Sequence, residues 1–355
     1  MDKIKVGILG ATGAVGQKFV ALLENHPWFE VTELAASRQS SGKMYSEAVH
    51  WTQKTVLPEK IARLKVKECI SDLDCRIVFS GLDASVAGEI EEEFASAGYA
   101  VFSNARNHRY DNDVPLMIPE LNESHIKLID AQQKNRDWPG FIVTNPNCST
   151  IFLAMALYPL HQNFTVEKVS VVTMQAVSGA GYPGVASLDI LGNVLPFISG
   201  EEEKIAKETR KILGTITNGG IEDADIAVSA QCNRVSVEDG HLESISVKLK
   251  ESTSIAEISD TYKNFKAMPQ DLKLPSAPVR PIVVMEERDR PQPKYDIMVE
   301  KGMATVIGRI QTCPVLDYRM IALGHNTIRG AAGASILNAE LLLKQGRMDK
   351  IINSK

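Results

Sequence analysis

The chain has 355 residues, more than one hydrophobic core usually serves and enough for two domains. Its 44% hydrophobic and 23% charged residues fit a water-soluble globular protein and exclude a disordered one. A formal charge of −5, with no long basic run, argues against nucleic acid or an anionic membrane as the main partner.

In chain order, Ile4–Leu9 reads as a buried strand and residues 15–24 as an amphipathic helix. The basic start and apolar run of MDKIKVGILGATGAVG could suggest a signal peptide. Gly7, Gly10, Gly13 and Gly16 interrupt that run, so a strand–turn–helix explains it better. Residues 31–36, 76–79, 100–102 and Phe141–Thr144 read as further strands, with a helix over 85–97. Strands alternating with helices predict a parallel sheet covered on both faces.

The pattern changes after residue 148. Helices are expected at 149–160 and 201–213. Longer strands are expected at Val166–Gln175, 226–232, 242–249, 305–311 and 318–323, several in hairpin-like succession. That predicts a mixed, largely antiparallel sheet with helices on one face. The proline-rich segment 273–293 reads as an extended loop or arm, and 327–343 as an Ala- and Leu-rich helix. The fold class expected is α/β. A Rossmann-type dinucleotide-binding domain over 1–147, completed by 326–355, would be joined to an α+β catalytic and oligomerisation domain over 148–325.

Gly10-Ala-Thr-Gly13-Ala-Val-Gly16 follows a strand and opens a helix. Its glycines permit a tight turn and close backbone approach to a pyrophosphate, whose charge meets the helix N-terminus. The spacing, GxxGxxG, varies on GxGxxG, and a purely structural turn is the competing reading. Candidate cofactor contacts are Gly10, Thr12, Gly13, Ala14, Val15 and Gly16. At the end of the second strand, an NAD site would carry Asp or Glu for the ribose hydroxyl. Here stand Ala36, Ser37, Arg38, Gln39 and Ser40. Hydroxyls and a guanidinium suit a 2′-phosphate, so Ser37, Arg38 and Ser40 point to NADP, although Arg38 alone could be an ordinary solvated side chain.

Asn147-Cys148-Ser149-Thr150 sits where a strand ends and a helix begins. A helix N-terminus stabilises a thiolate, so a low-pKa nucleophile is expected at Cys148. Position alone does not separate this from a small buried apolar cysteine. The five cysteines, at 69, 75, 148, 232 and 313, show no CxxC and no metal-type His/Cys spacing. They read as reduced thiols of a cytoplasmic protein with no metal site. No stretch approaches the ~18 apolar residues of a membrane span.

With GATGAVG at the N-terminus, NPNCST at 145–150 resembles the aspartate-semialdehyde dehydrogenases. The likeness continues through Gln175-Ala-Val-Ser-Gly-Ala-Gly181, Arg234, Gly240-His241 and His325-Asn-Thr-Ile-Arg-Gly-Ala-Ala-Gly333, in order and over nearly the whole chain. Its ending looks most like the archaeal and fungal branch. The resemblance implies Cys148 as the thioester-forming nucleophile, His241 as general acid/base, and Gln175 as the residue orienting the reacting groups. It also implies Arg234 on the substrate α-carboxylate, Glu201 and Lys204 on the amino and phosphate groups, and Arg109 on phosphate. Asn147 would line the acyl site and Asn326 would touch the cofactor. The implied reaction is reduction of L-aspartyl-4-phosphate by NADPH to L-aspartate-4-semialdehyde and phosphate, in a homodimer or homotetramer.

Without the resemblance, His241 would be a turn or core histidine, and Glu201 with Lys204 a surface ion pair three apart on a helix. Arg109 would be solvated. His26, His50, His108, His125 and His161 are read as structural. Competing activities are a malonyl-CoA reductase or a related acyl-phosphate reductase, such as an N-acetyl-glutamyl-phosphate reductase. From another class stands a nucleotide-sensing regulator without catalysis.

Overall fold

The computed structural model describes residues 3–217 and 220–353. Six strands form the first sheet: β1 (Ile4–Leu9), β2 (Phe29–Ala36), β3 (Val66–Glu68), β4 (Ile77–Ser80), β5 (Ala100–Ser103) and β6 (Phe141–Thr144). Their order is β3-β2-β1-β4-β5-β6, and every pairing is parallel. This is a doubly wound arrangement with its switch point between β1 and β4. Strands β4, β5 and β6 are buried along their whole length, as continuous apolar runs covered on both faces must be. Helices α1 (Ala14–Leu23), α2 (Ala84–Ser96) and α3 (Leu128–Arg136) cover the sheet. Strand β3 has no counterpart in the sequence reading, since three residues carry too little pattern to register.

Helix α4 (Cys148–Phe164) leads from β6 into the second sheet. That sheet contains β7 (Val166–Gln175), and after helix α5 (Glu201–Ile212) a small ribbon, β8 (Thr215–Thr217) with β9 (Gly220–Glu222), stands apart from it. Strands β10 (Ala227–Arg234), β11 (His241–Leu249), β12 (Ile282–Met285), β13 (Thr305–Thr312) and β14 (Tyr318–Gly324) complete the sheet, in the order β10-β7-β11-β14-β13-β12. Helices α4, α5 and α6 (Ile255–Lys263) pack on it.

The sheet is mixed and largely antiparallel, as expected: its centre is antiparallel and both outer pairs, β10 with β7 and β12 with β13, are parallel. Two details are corrected. Strands β13 and β14 are antiparallel neighbours, but β10 and β11 are not a hairpin, because β7 lies between them. The segment 273–293 is not wholly loop either, for β12 lies inside it with Ile282 and Val283 buried. Its prolines flank the Ile-Val-Val-Met run instead of interrupting it, and an edge strand tolerates such neighbours.

Helix α7 (Gly333–Lys344) returns to the first sheet, where Ile336, Leu337, Leu341 and Leu342 share one buried cluster with Val6, Phe19, Phe79 and Phe102. The expected single helix over 327–343 begins instead as a π-turn, Ile328–Ala332. A Cβ on Gly330 would lie 2.8 Å from Cys148 Cβ, so this turn is where the returning chain presses on the start of α4. Widened turns of this kind often occur at functional sites.

Candidate active site

The turn after β1 lies at the switch point. Gly10 has φ +72°, and a Cβ there would stand 2.7 Å from the Gly81 carbonyl oxygen; one on Gly16 would stand 2.2 Å from Gly10 O. Only glycine allows β1, β4 and α1 to meet so closely. Helix α1 starts at Gly13 with no side-chain cap, so its first N–H groups are open to an anionic ligand. Gln17 braces the turn by donating to Thr12 O and His50 O while accepting from the Thr52 N–H. Thr12, Ala14 and Val15 are half-buried beside it, and Gly13 is exposed. At the end of β2, Ser37 and Arg38 are exposed and Ser40 half-buried; Arg38 reaches Glu68 at 3.3 Å across open surface. This turn and rim fit a dinucleotide.

The second half of the site is built at the junction of α4 with the second sheet. Asn147 caps α4, its Oδ1 accepting from the N–H groups of Ser149 (3.0 Å) and Thr150 (3.3 Å). This fixes Cys148 at the first helical position. Its Sγ lies 3.1 Å from His241 Nε2, at the start of β11. The Ala176 N–H donates to His241 Nδ1 at 3.1 Å. The neutral ring therefore carries its own proton on Nε2, facing the sulfur.

Around this pair, Arg234 at the end of β10 donates from Nη1 to Ala176 O at 2.8 Å. Lys204 Nζ and Asn147 Nδ2 both donate to Glu201, each at 2.8 Å, and Gln175 Nε2 reaches it at 3.4 Å. Arg109 donates to Glu208 at 2.9 Å and to Asn104 O at 2.8 Å. Asn326 accepts from the Gly240 N–H and donates to Ser178 Oγ, both at 2.8 Å, which ties the returning chain to the turn before His241. The eight residues expected to catalyse or bind substrate thus form one chain of contacts. Glu201 and Lys204 are no surface pair, since their side chains are 10% and 18% exposed.

One expectation is reversed in sign. Burial pushes the Cys148 thiol up to about 12, Glu201 adding to the rise while Arg234 and Arg109 oppose it. Burial first, and Arg234 second, lower His241 to about 3. The resting pair is a neutral thiol beside a neutral imidazole.

Several participants escaped the sequence reading. Gly179 lies against the catalytic pair, where a Cβ would be 2.8 Å from Arg234 Nη1 and 3.1 Å from His241 Cε1. Glu208 and Lys211 continue the inward face of α5, at the spacing 201, 204, 208, 211. That spacing was a readable signal, because buried charges in register with two candidate site residues ask for partners.

Two family models match the chain. The semialdehyde dehydrogenase NAD-binding domain covers residues 5–129, and the semialdehyde dehydrogenase dimerisation domain covers 157–329. Aspartate-semialdehyde dehydrogenase of Methanothermobacter thermautotrophicus is 48% identical over 345 residues, covering 96% of this chain and 99% of that protein. The Schizosaccharomyces pombe enzyme of the same name is 49% identical over 353 residues, covering 97% and 99%. A crystal structure of aspartate-semialdehyde dehydrogenase with NADP from Candida albicans superposes with a TM-score of 0.90 at 42% identity, covering 96% of this chain and 99% of that one. The chain belongs to the aspartate-semialdehyde dehydrogenase family.

Proposed function

We propose that this protein reduces L-aspartyl-4-phosphate with NADPH to L-aspartate-4-semialdehyde and phosphate through a thioester on Cys148. The observation that carries the reading is the contact of Cys148 Sγ with His241 Nε2 at 3.1 Å, ringed by Arg234, Glu201, Lys204 and Arg109. Two cations beyond the carboxylate-binding arginine suit a substrate bearing both an α-carboxylate and a phosphate.

Arg234 grips the α-carboxylate and Glu201 the α-ammonium group, while Arg109 and Lys204 hold the phosphate. Gln175 and Asn147 orient the acyl carbon over the sulfur. Pairing of Glu201 with the substrate ammonium removes the negative charge that helps hold the thiol protonated, so substrate binding itself favours the thiolate. Cys148 Sγ then bonds to the acyl carbon, the carbon–oxygen bond to phosphate breaks, and the departing phosphate takes up the thiol proton. The Gly10–Gly16 turn would hold the pyrophosphate of NADPH, and Ser37, Arg38 and Ser40 its 2′-phosphate; the cofactor would supply hydride to the thioester carbon. Asn326, bonded to Gly240 and Ser178 beside His241, would touch that cofactor. The Nε2–H of His241 donates to the carbonyl oxygen as negative charge develops there, and collapse of the adduct releases aldehyde and thiolate.

The proposed division is 1–147 with 326–355 for the cofactor and 148–325 for substrate and subunit contacts; residues 1, 2, 218, 219, 354 and 355 of these spans lie outside the described residues. A homo-oligomer, dimer or tetramer, is supported by the exposed apolar side chains of Tyr182, Leu188, Leu191, Val194 and Phe197 on one strap beside the site. Among the described residues no helix is long and apolar enough to cross a membrane. A cytoplasmic location is proposed with this, supported by the five unpaired thiols.

The test is phosphate-dependent reduction of NADP by L-aspartate-4-semialdehyde, with NADPH oxidation by malonyl-CoA as the contrast. Turnover should require phosphate and vanish in Cys148→Ser, whose NADP dissociation constant should stay within about twofold of the unsubstituted protein. Activity in Cys148→Ser, or turnover only with malonyl-CoA, would overturn the reading.

A further inference from the structure

Glu208 has no exposed surface, and both its carboxylate oxygens are committed. Oε1 accepts from Arg109 Nη1 at 2.9 Å, and Oε2 accepts from the Asn147 backbone N–H at 2.6 Å. These donors come from distant parts of the chain, the loop after β5 and the residue before the nucleophile. A carboxylate is kept in an interior only where a counter-charge and donors compensate for lost water, and here there is one of each.

The same helix holds the backbone of the Arg109 loop. Lys211 Nζ, one turn on, donates to the carbonyls of Arg109 (2.8 Å), Asp111 (2.8 Å) and Val114 (3.1 Å). With its main chain fixed by Lys211 and its head group by Glu208 and Asn104 O, the guanidinium has one orientation. Its Nε is buried without a protein partner, leaving a donor for a ligand. On the other side, Asn147 is held three ways, by Glu208 on its N–H, by Glu201 on its amide and by its own cap to α4.

We propose that Glu208 is a positioning residue that fixes the phosphate-binding arginine and the residue beside the nucleophile in one frame, so that a phosphate held by Arg109 lies in line with Cys148. The proposal rests on the assignment of Arg109 to phosphate made above. Glu208 touches neither substrate nor sulfur and acts through Arg109 and Asn147.

The experiment is a double-variant cycle on KM in the semialdehyde-oxidising direction, with Arg109→Ala, Glu208→Gln and the pair. Glutamine fills the same volume but turns an amide toward one of the two donors. Glu208→Gln should raise KM for phosphate roughly 10-fold or more, and the KM values for semialdehyde and NADP should stay within about twofold. The pair should lose little beyond Arg109→Ala alone, because the two residues act as one unit. A merely structural role would instead lower melting temperature and active fraction without separating the phosphate KM from the others. If Arg109→Ala raises KM for phosphate and Glu208→Gln does not, the proposal fails while the site reading stands; if Arg109→Ala leaves it unchanged, both fall. Should Glu208→Gln not fold, Lys211→Met, which frees the same loop, is expected to raise KM for phosphate likewise, and an unchanged value would overturn the proposal.

Discussion

Gly179 offers a test of how tightly the catalytic pair is framed. It has ordinary backbone angles and lies exposed in the loop after β7, so alanine there costs the main chain little and should change stability by less than about 0.5 kcal/mol. The added methyl would stand 2.8 Å from Arg234 Nη1 and 3.1 to 3.2 Å from the His241 ring edge. Recovering an ordinary contact of roughly 3.5 Å requires the guanidinium to retreat by about 0.7 Å. That nitrogen is anchored 2.8 Å from Ala176 O, and the retreat moves the guanidinium off the position from which it meets the carboxylate. A hydrogen bond from this charged donor to the substrate carboxylate, which the displaced guanidinium no longer makes, contributes about 1.5–3 kcal/mol, or roughly 10- to 100-fold. Gly179→Ala should therefore lower kcat/KM for semialdehyde by about that factor while NADP affinity and melting temperature barely move. Steady-state kinetics with NADP titration and a thermal melt measure all three. If kcat/KM falls by less than about twofold, Arg234 is free to shift, and its role in gripping the carboxylate from a fixed position is wrong.

Other outcomes follow from the charges. Because burial raises the Cys148 thiol, the reactive thiolate is scarce at neutral pH in the ligand-free protein. Alkylation by iodoacetamide should climb by about tenfold per pH unit from pH 7 to 10 without a plateau. A plateau near pH 7 would mean the helix N-terminus wins after all. Glu243 is fully buried on β11 with both oxygens unpartnered, and burial raises its pKa well above 4.5. For an acid shifted upward, the folded state keeps the proton that the unfolded chain loses. Stability from this group is thus complete below 4.5 and declines as pH rises toward the folded value. Glu243→Gln should accordingly gain in melting temperature over the unsubstituted protein, and by more at pH 8 than at pH 5; equal differences at the two pH values would show that Glu243 is not held neutral.

The elements legible in the sequence were those whose burial is uniform. Strands β1, β4, β5 and β6 are short apolar runs between turn residues, and the Gly10–Gly16 turn between β1 and α1 announces itself by spacing alone. What the pattern missed depends on pairing. Alternation along 226–232 and 242–249 is the same whether β10 neighbours β11 or lies beyond β7, so strand order had no local signature. The prolines of 273–293 concealed β12 because their effect on a strand depends on which edge they occupy. The π-turn at Ile328–Ala332 sits where Gly330 comes close to Cys148, 182 positions away in the chain, a contact no local pattern carries.

The site shows the same division at finer grain. Motif residues such as Cys148, His241 and Gln175 could be named through the family resemblance their motifs carry, whereas Glu208 and Lys211 lie in no such motif; their spacing on α5 marks them as an inward face but not their partners Arg109, Asn147 and Val114, 99, 61 and 97 residues away. Helix α5 explains why its four charges are needed together. It presents alternate negative and positive groups along one face, Glu201, Lys204, Glu208 and Lys211, to a loop and a helix start that would otherwise meet with unpaired donors and carbonyls. Each carboxylate on that face accepts from both a cation and Asn147, so the residue next to the sulfur is positioned by the same pairs that set the cations. A charge change at any of the four should therefore register in Cys148 reactivity as well as in ligand affinity, which a face serving only to bind substrate would not do.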